Sequence, residues 1–195
     1  MQIGIYLYDE AEVLDFSGPF EVLSTASHIS GDALPPFQPC LIAETKAPLN
    51  ARGGFSVNPN HSIHEHPPLD VLIVVGGVHD AQLHKPQVLE WIAEQAKSVD
   101  IVASICTGAF LLAEAGVLSD QRVTTHWQDI PDLRERYPNL SVVENARWVQ
   151  AGNIVTSGGI SAGIDMALYL VSELHSEDLA VRTALQMEFD WTKNR

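Results

Sequence analysis

Apolar residues along this chain occur in short continuous runs, and these runs alternate with longer segments in which apolar positions are three or four residues apart. Short runs bounded by turn residues are typical of buried strands, whereas the wider spacing indicates the buried face of a helix. The predicted strands are residues 2–8, 37–43, 69–75, 101–105 and 122–125, with two or three more between 141 and 156 and a polar hairpin at 51–58. The predicted helices are residues 17–29, 86–96, 109–115, 130–136, 161–175 and 178–189.

Strands that alternate with helices in this way predict an α/β protein in which a parallel sheet is covered by helices on both faces, a three-layer sandwich of the flavodoxin-like type. No linker rich in proline, glycine or serine divides the 195 residues, so we expect one domain that covers residues 1–195. Ligands of such sheets bind at the carboxyl ends of the strands. Three loops are expected to meet there: residues 76–77, 106–107 and 157–161.

Cys106 lies at the junction between the predicted strand 101–105 and the helix that follows it. Ser104 and Gly108 flank it with small side chains, as the sharp turn of a nucleophile elbow requires. At such a turn the thiol faces the free N–H groups of the helix, whose partial positive charge favours the thiolate. The sequence therefore predicts a reactive cysteine with a lowered pKa, the alternative being a buried cysteine that only packs.

Two further residues have both a structural and a functional interpretation. Asp15 lies between apolar neighbours before a predicted helix start, where it could cap the helix, a role that Ser17 could also fill. If Asp15 is buried beside Cys106 instead, its pKa would be raised and it could act as a general acid. His126 is either a packed structural histidine or a residue of the pocket.

Other polar patterns favour structural interpretations. The histidines of HSIHEH, residues 61–66, lack a second cluster that would complete a metal site, so a solvated loop is predicted and no metal is expected. Residues 158–159 match neither GxGxxG nor a P-loop, which makes nucleotide binding only weakly indicated. Asp165 is predicted in the first turn of its helix, where it complements the macrodipole, and Cys40 is predicted to pack in a strand.

Composition narrows the function classes. The formal net charge is −14, with 11 Lys and Arg against 25 Asp and Glu, so a phosphate backbone would be repelled and nucleic acid is not an expected partner. Charged residues make up only 18%, which favours either an unusually large buried fraction or an oligomer interface, and we expect a homodimer. Two cysteines are consistent with a reducing compartment. The first ten residues alternate like a strand rather than a signal peptide, so a cytoplasmic protein without a membrane partner is expected.

Four motifs in order, LDFSGPFEVL, ICTGAFLLAEAGVL, TTHW and TSGGISAGIDMALYLV, resemble those of the ThiJ/PfpI superfamily of class I glutamine-amidotransferase-like proteins. The resemblance covers essentially the whole chain. Within the superfamily, the motifs are most similar to the cyclohexyl-isocyanide hydratase branch and to the sensor-like domain of certain AraC-type transcription regulators. This resemblance implies the same α/β fold with a nucleophile elbow, and members that commonly pair as dimers.

The resemblance also implies roles for six residues of this chain. They are Cys106 as the nucleophile, Asp15 as its acidic partner, Thr107, Gly77 and Ile160 as backbone N–H donors that line the site, and His126 near the pocket. Two positions depart from common family patterns: Val75 replaces a proline before the glycine pair, and Thr107 replaces the histidine that follows the cysteine in peptidase-like members. A Cys-His peptidase dyad is therefore absent.

The leading functional hypothesis is an enzyme that hydrates a small carbon electrophile, by resemblance an isocyanide, to an N-substituted formamide. Cys106 would attack the terminal carbon and Asp15 would supply the proton that this carbon acquires. No metal or organic cofactor is expected. One alternative is a ligand-sensing or regulatory domain without catalysis, and another is a glyoxalase-like or thiol stress-response protein.

Overall fold

The computed structural model describes residues 1–194, so the last residue of the predicted domain, Arg195, lies outside the described residues. The strands, in chain order, are β1 (Gln2–Tyr6), β2 (Gln38–Ala43), β3 (Leu49–Ala51), β4 (Phe55–Val57), β5 (His61–Ser62), β6 (Val71–Val74), β7 (Ile101–Ile105), β8 (Arg122–Val123), β9 (Ser141–Val142), β10 (Trp148–Ala151) and β11 (Ile154–Ser157). The helices are α1 (Val13–Ile29), α2 (Pro86–Ala96), α3 (Gly108–Glu114), α4 (Ile130–Arg136), α5 (Ser161–Leu174) and α6 (Glu177–Gln186).

Seven strands form the central sheet in the order β10-β11-β7-β6-β1-β2-β5. All neighbours pair in parallel except β10 and β11, which form an antiparallel hairpin at one edge. Helices α1, α5 and α6 pack on one face, and α2 and α3 on the other, which confirms the predicted α/β sandwich. β2 lies on one side of β1 and β6 on the other, so the order of the strands reverses at β1. At such a reversal a crevice opens at the carboxyl ends of the strands, here β1 and β6.

The interior strands are apolar on both faces because helices cover both sides of the sheet. All four residues of β6, Val-Leu-Ile-Val, are completely buried, and so are Ile3 and Ile5 of β1. Within residues 1–194, no helix combines the length and the apolar character needed to cross a membrane.

The start of α1 differs from the prediction. The helix begins at Val13, so Asp15 lies inside its first turn and neither Asp15 nor Ser17 is the cap. The Ser17 hydroxyl donates back to the Val13 carbonyl at 2.8 Å. The entry to the helix is held by a tertiary contact, since the Glu12 N–H donates to the Gly76 carbonyl at 3.0 Å. The structural alternative, in which Asp15 or Ser17 caps the helix, is therefore wrong.

Three other predictions need correction. The segment 122–125 forms only the short β8, which pairs with β9 outside the central sheet. The predicted loop at 61–66 contributes β5 to the sheet edge, while the His66 ring accepts a hydrogen bond from Trp91 Nε1 at 2.9 Å. Asp165 is the fifth residue of α5, completely buried, and it binds the Arg147 guanidinium rather than complementing the helix dipole.

Candidate active site

Cys106 follows the last residue of β7 and has a φ of 56°, in the left-handed region that few non-glycine residues adopt. Its N–H is directed at the carbonyls of Ser157 and Gly158, at 3.2 and 3.3 Å. Its own carbonyl accepts a hydrogen bond from the Thr125 hydroxyl at 2.7 Å. These backbone contacts hold a strained conformation in place, which is how such strain persists at functional sites. The sharp turn between strand and helix places the side chain at the edge of the sheet.

Two glycines allow the turn at Cys106 to approach the end of β6. A Cβ on Gly108 would lie 2.2 Å from the Val74 carbonyl oxygen, and a Cβ on Gly76 would lie 2.5 Å from the Thr107 nitrogen and 2.7 Å from the Cys106 Cβ. Distances this short are excluded for real Cβ atoms, so the backbones meet only because both positions lack side chains. The requirement for a small residue two positions after the cysteine is thereby explained.

Asp15 connects all three loops of the site. Its carboxylate is completely buried and accepts the Gly76 N–H on Oδ2 at 3.2 Å and the Ile160 N–H on Oδ1 at 3.0 Å. The Cys106 side chain also acts on this carboxyl group and lowers its pKa. Burial raises the pKa of Asp15 to about 7, because the lost hydration outweighs the two backbone donors that favour the carboxylate. A carboxyl group with this pKa can release or accept a proton near neutral pH.

The thiol of Cys106 does not have the lowered pKa that the sequence predicted. The residue is only 8% exposed, and burial, followed by the charge of Asp15, raises the pKa of the thiol. The Thr107 N–H acts in the predicted direction by lowering the pKa, but it is outweighed by desolvation and by the nearby carboxylate. The prediction of a resting thiolate is therefore wrong: the resting site is a thiol beside a carboxyl group, and the two titrate as a pair.

The N–H groups of Gly77 and Ile160, expected to bind substrate, are already bonded inside the site. The Gly77 N–H donates to Thr107 Oγ1 at 3.0 Å, and this hydroxyl donates to the Gly77 carbonyl at 3.1 Å. The Ile160 N–H holds Asp15. Gly77 has a φ of 142°, and a Cβ there would lie 2.4 Å from the Glu10 carbonyl oxygen. These N–H groups position Asp15 and Thr107 relative to the sulfur.

His126 lies close to the sulfur, as the resemblance implied. A Cβ on Gly159 would lie 2.5 Å from Cδ2 of the His126 ring and 3.1 Å from Cys106 Sγ, so the ring and the sulfur both press against this glycine. His126 Nδ1 is hydrogen-bonded to the Asp129 carboxylate at 3.0 Å. The imidazole is therefore held at the wall of the site by a carboxylate.

A cavity of about 300 Å³ opens beside Cys106. It is lined by Glu12, Arg52, Gly77, Val78, His79, Asp80, Cys106, Thr107, His126, Gln128, Asp129 and Ile160. A larger groove of about 620 Å³ lies between β10 and the C-terminal segment, but neither cysteine lines it. The smaller cavity is lined by all six predicted site residues except the buried Asp15.

Sequence reasoning missed two residues of this region. The Tyr8 hydroxyl is buried without a hydrogen-bond partner, and after burial the charges of Asp15 and Cys106 are the main causes that raise the pKa of its phenol. His79 lines the cavity, and its Nε2 is also buried without a partner. Both follow strands whose carboxyl ends form the crevice, and this position in the predicted topology was the signal that could have identified them.

Known proteins share this architecture. The sequence model of the DJ-1/PfpI family matches residues 1–173. The chain is 36% identical over 191 residues to isonitrile hydratase from Pseudomonas putida, across 97% of this chain and 78% of that protein. It is 30% identical over 174 residues to the HTH-type transcriptional regulator CdhR from Pseudomonas aeruginosa, across 89% of this chain but only 51% of the regulator. The crystal structure of a ThiJ/PfpI family protein from Pseudomonas syringae matches with a TM-score of 0.86 at 25% identity, across 98% of this chain and 76% of that one.

The likeness includes the elements that build the site. The matched residues 1–173 contain Asp15, the turn at Cys106 and the loop at Ile160. The resemblance indicated by the four sequence motifs is confirmed by both the family model and the relatives. Because the match extends over most of the sequence and the same fold recurs in a solved structure, the chain belongs to the DJ-1/PfpI family.

Proposed function

We propose that the protein hydrates an isocyanide to an N-substituted formamide, with Cys106 as the nucleophile on a nucleophile elbow. The observation that carries this proposal is the pairing of the Cys106 thiol with the buried Asp15 carboxyl group, whose pKa is about 7, at the end of a small cavity. The similarity to isonitrile hydratase supports the choice of substrate class. A terminal isocyanide carbon is an electrophile that must gain both a nucleophile and a proton, which this pair can supply.

In the first half of the reaction, the Asp15 carboxylate accepts the thiol proton while the sulfur attacks the terminal carbon. The new C–S bond forms from a sulfur electron pair, and one C–N bonding pair becomes a lone pair on nitrogen. The same carboxyl group then gives the proton to the carbon, which yields the thioimidate R–N=CH–S. The Thr107 N–H, which favours the charged sulfur, stabilises it during transfer.

In the second half, water attacks the thioimidate carbon while the Asp15 carboxylate accepts one of its protons. That proton passes to the nitrogen, and the C–S bond of the tetrahedral intermediate then breaks to give the formamide. The second water proton returns to the sulfur. The original thiol proton thus ends on carbon, and the sum is one isocyanide and one water converted to one formamide.

The test is an assay of the purified protein with cyclohexyl isocyanide, in which the formyl proton of the product is followed by NMR. Product formation that disappears in Cys106→Ala and persists in Cys40→Ser is expected. Methylglyoxal in a parallel reaction separates a glyoxalase-like activity. Absence of formamide from a folded protein whose Cys106 reacts with iodoacetamide would refute the proposal.

A second proposal, ligand sensing without catalysis, is favoured by one observation. The chain matches about half of the regulator CdhR, across 89% of its own length. In that case a small molecule would bind the cavity beside Cys106 without being converted. A ligand that raises the melting temperature of the protein, and is recovered unchanged after long incubation, would support sensing over hydration.

A further inference from the structure

The cavity beside Cys106 offers more negative than positive side chains. Within the described part of the chain, the lining includes three carboxylates and one guanidinium group: Glu12, Asp80, Asp129 and Arg52. Arg52 Nη1 is already bound to Glu12 Oε2 at 2.9 Å. Arg136 lies outside the lining, with Nη2 at 4.0 Å from Asp80, whose side chain is 75% exposed. Asp129 is also hydrogen-bonded to His126 Nδ1 at 3.0 Å. The three carboxylates outnumber the two guanidinium groups by one, and their oxygens can accept further hydrogen bonds.

His79 adds an unpartnered polar group to the same wall. The residue is 8% exposed and lines the cavity, while its Nε2 is buried and has no hydrogen-bond partner among residues 1–194. Its ring lies 4.6 Å from the Phe110 ring, centroid to centroid, which fixes its orientation. Buried polar atoms in folded proteins are nearly always paired, so an unpaired one calls for a reason. A ring nitrogen of a neutral imidazole is an acceptor that a ligand can satisfy.

From this lining we infer that the electrophile attacked by Cys106 carries a small protonated amine, and that His79 and Asp80 bind this ammonium group. The inference rests on the proposed hydration of isocyanides and names the substrate class. The ammonium donates hydrogen bonds, which matches the acceptors of the wall, and its charge offsets the excess of carboxylates. An electrophile that carries a carboxylate would be repelled by these carboxylates and could not donate hydrogen bonds to them.

Such a substrate would also activate the nucleophile. The groups that act on the Cys106 thiol are the carboxylates of Asp15 and Asp129, which raise its pKa, and the Thr107 N–H, which lowers it. The phenol of Tyr8 and the imidazole of His126 lie nearby. A bound cation adds positive charge to this surrounding and lowers the pKa of the thiol. The substrate would therefore supply a charge that the resting site lacks.

The first test compares three isocyanides at neutral pH: 3-(dimethylamino)propyl isocyanide, its uncharged isostere 4-methylpentyl isocyanide, and isocyanoacetate. The cationic substrate is expected to exceed the isostere in kcat/KM by about 10-fold or more, the size of a hydrogen bond to a charged group, and isocyanoacetate to be the poorest. In His79→Phe this preference should disappear. Equal kcat/KM values for the cation and its isostere would overturn the inference.

A second variant keeps the inference testable if His79→Phe does not fold. Asp80 is exposed, and we expect Asp80→Asn to reduce the preference for the cation by about 2- to 5-fold, the range of an exposed ion pair. Glu90→Gln removes the same charge from the exposed face of α2, away from the cavity, and should leave the preference unchanged. If both substitutions reduce the preference equally, the overall negative charge of the protein causes it, and the site is refuted.

A binding measurement separates this inference from the proposed function. At pH 7, where the amine is protonated, the affinities of the protein for N-[3-(dimethylamino)propyl]formamide and N-(4-methylpentyl)formamide are measured by calorimetry. The cationic formamide is expected to bind about 10-fold or more tightly, and this difference should disappear in His79→Phe. If no isocyanide is hydrated, the proposed function fails while these affinities still decide the ammonium site; equal affinities reject the site alone.

Discussion

Among residues 1–194, two side-chain carboxylates are completely buried, and they have opposite surroundings. Asp165, on α5, binds the Arg147 guanidinium through Oδ2, with Nε at 2.6 Å, and accepts the Thr192 N–H on Oδ1 at 2.8 Å. Asp15, on α1, also accepts backbone N–H groups, but it faces the thiol of Cys106 instead of a cation. One carboxylate has a permanent counterion, and the other has a partner that can exchange a proton with it.

This difference in partners is accompanied by a difference in how the two carboxyl groups titrate. Burial raises the pKa of both groups, but Arg147 and the Thr192 N–H act against the increase at Asp165, whereas at Asp15 the value reaches about 7. A fixed cation favours the carboxylate and ties the C-terminal segment to α5. Without a cation, the carboxyl group stays close to the pKa at which proton transfer is efficient. Burial alone does not distinguish these two carboxylates; their partners do.

Asp15→Asn is expected to have the largest effect on turnover. The amide cannot transfer a proton, so the rate of formamide production should fall by roughly 10²- to 10⁴-fold, the range of general acid-base catalysis. The variant should remain folded by circular dichroism, and Cys106 should still react with iodoacetamide. Near-normal turnover in this variant would mean that Asp15, like Asp165, has only a structural role.

The pH dependence of stability provides the next largest effect. The carboxyl of Asp15 has a pKa of about 7 in the folded protein, against an ordinary pKa of 3.8. Between these values the folded state holds one more proton than the unfolded chain, so the free energy of unfolding falls as pH rises, by at most about 4 kcal/mol. This contribution is complete below about pH 4 and lost above about pH 7. Urea denaturation at several pH values should show the loss in wild type and not in Asp15→Asn; parallel curves would contradict the raised pKa.

Asp165→Asn should alter stability rather than chemistry. The substitution keeps an acceptor for the Thr192 N–H but removes the charge that Arg147 binds. Because the Arg147 side chain is 34% exposed and regains water, the expected cost is about 1 to 3 kcal/mol in the free energy of unfolding. Turnover per folded molecule should remain within a few-fold of wild type. A large loss of turnover with unchanged stability would mean that the two carboxylates have been assigned the wrong roles.

The sequence predicted the elements better than it predicted these partners. Apolar runs such as the one that forms β6 are visible because every residue of a doubly covered strand is buried. The start of α1 at Val13 was missed because the Gly76 carbonyl, distant in the chain, holds its entry. The Cys106 turn could be located from small neighbours, but the raised pKa of the thiol depends on burial and on Asp15, and the role of Asp165 depends on Arg147. Local signals show where side chains lie along the chain, whereas charge and pairing are decided by tertiary contacts.

The smallest expected effect is that of Tyr8→Phe, and it tests whether Asp15 has a further partner. The Tyr8 hydroxyl is buried without a hydrogen bond, so its removal should leave the free energy of unfolding unchanged or raise it by up to about 1 kcal/mol. Tyr6→Phe is the matched control, because its hydroxyl donates to Gln82 Oε1 at 3.0 Å in an equally buried position, and its loss should cost about 1 to 2 kcal/mol.

Chemical denaturation of both variants decides the point. If Tyr8→Phe costs as much as Tyr6→Phe, the phenol of Tyr8 makes a hydrogen bond in solution. Asp15 and the Thr107 side chain are the groups placed to accept it, since both act on the pKa of the phenol. A hydrogen bond from Tyr8 to Asp15 would favour its carboxylate and reduce the difference from Asp165. If the substitution costs nothing, Asp15 has only its two backbone donors and the thiol, and the proton that they share remains available for chemistry.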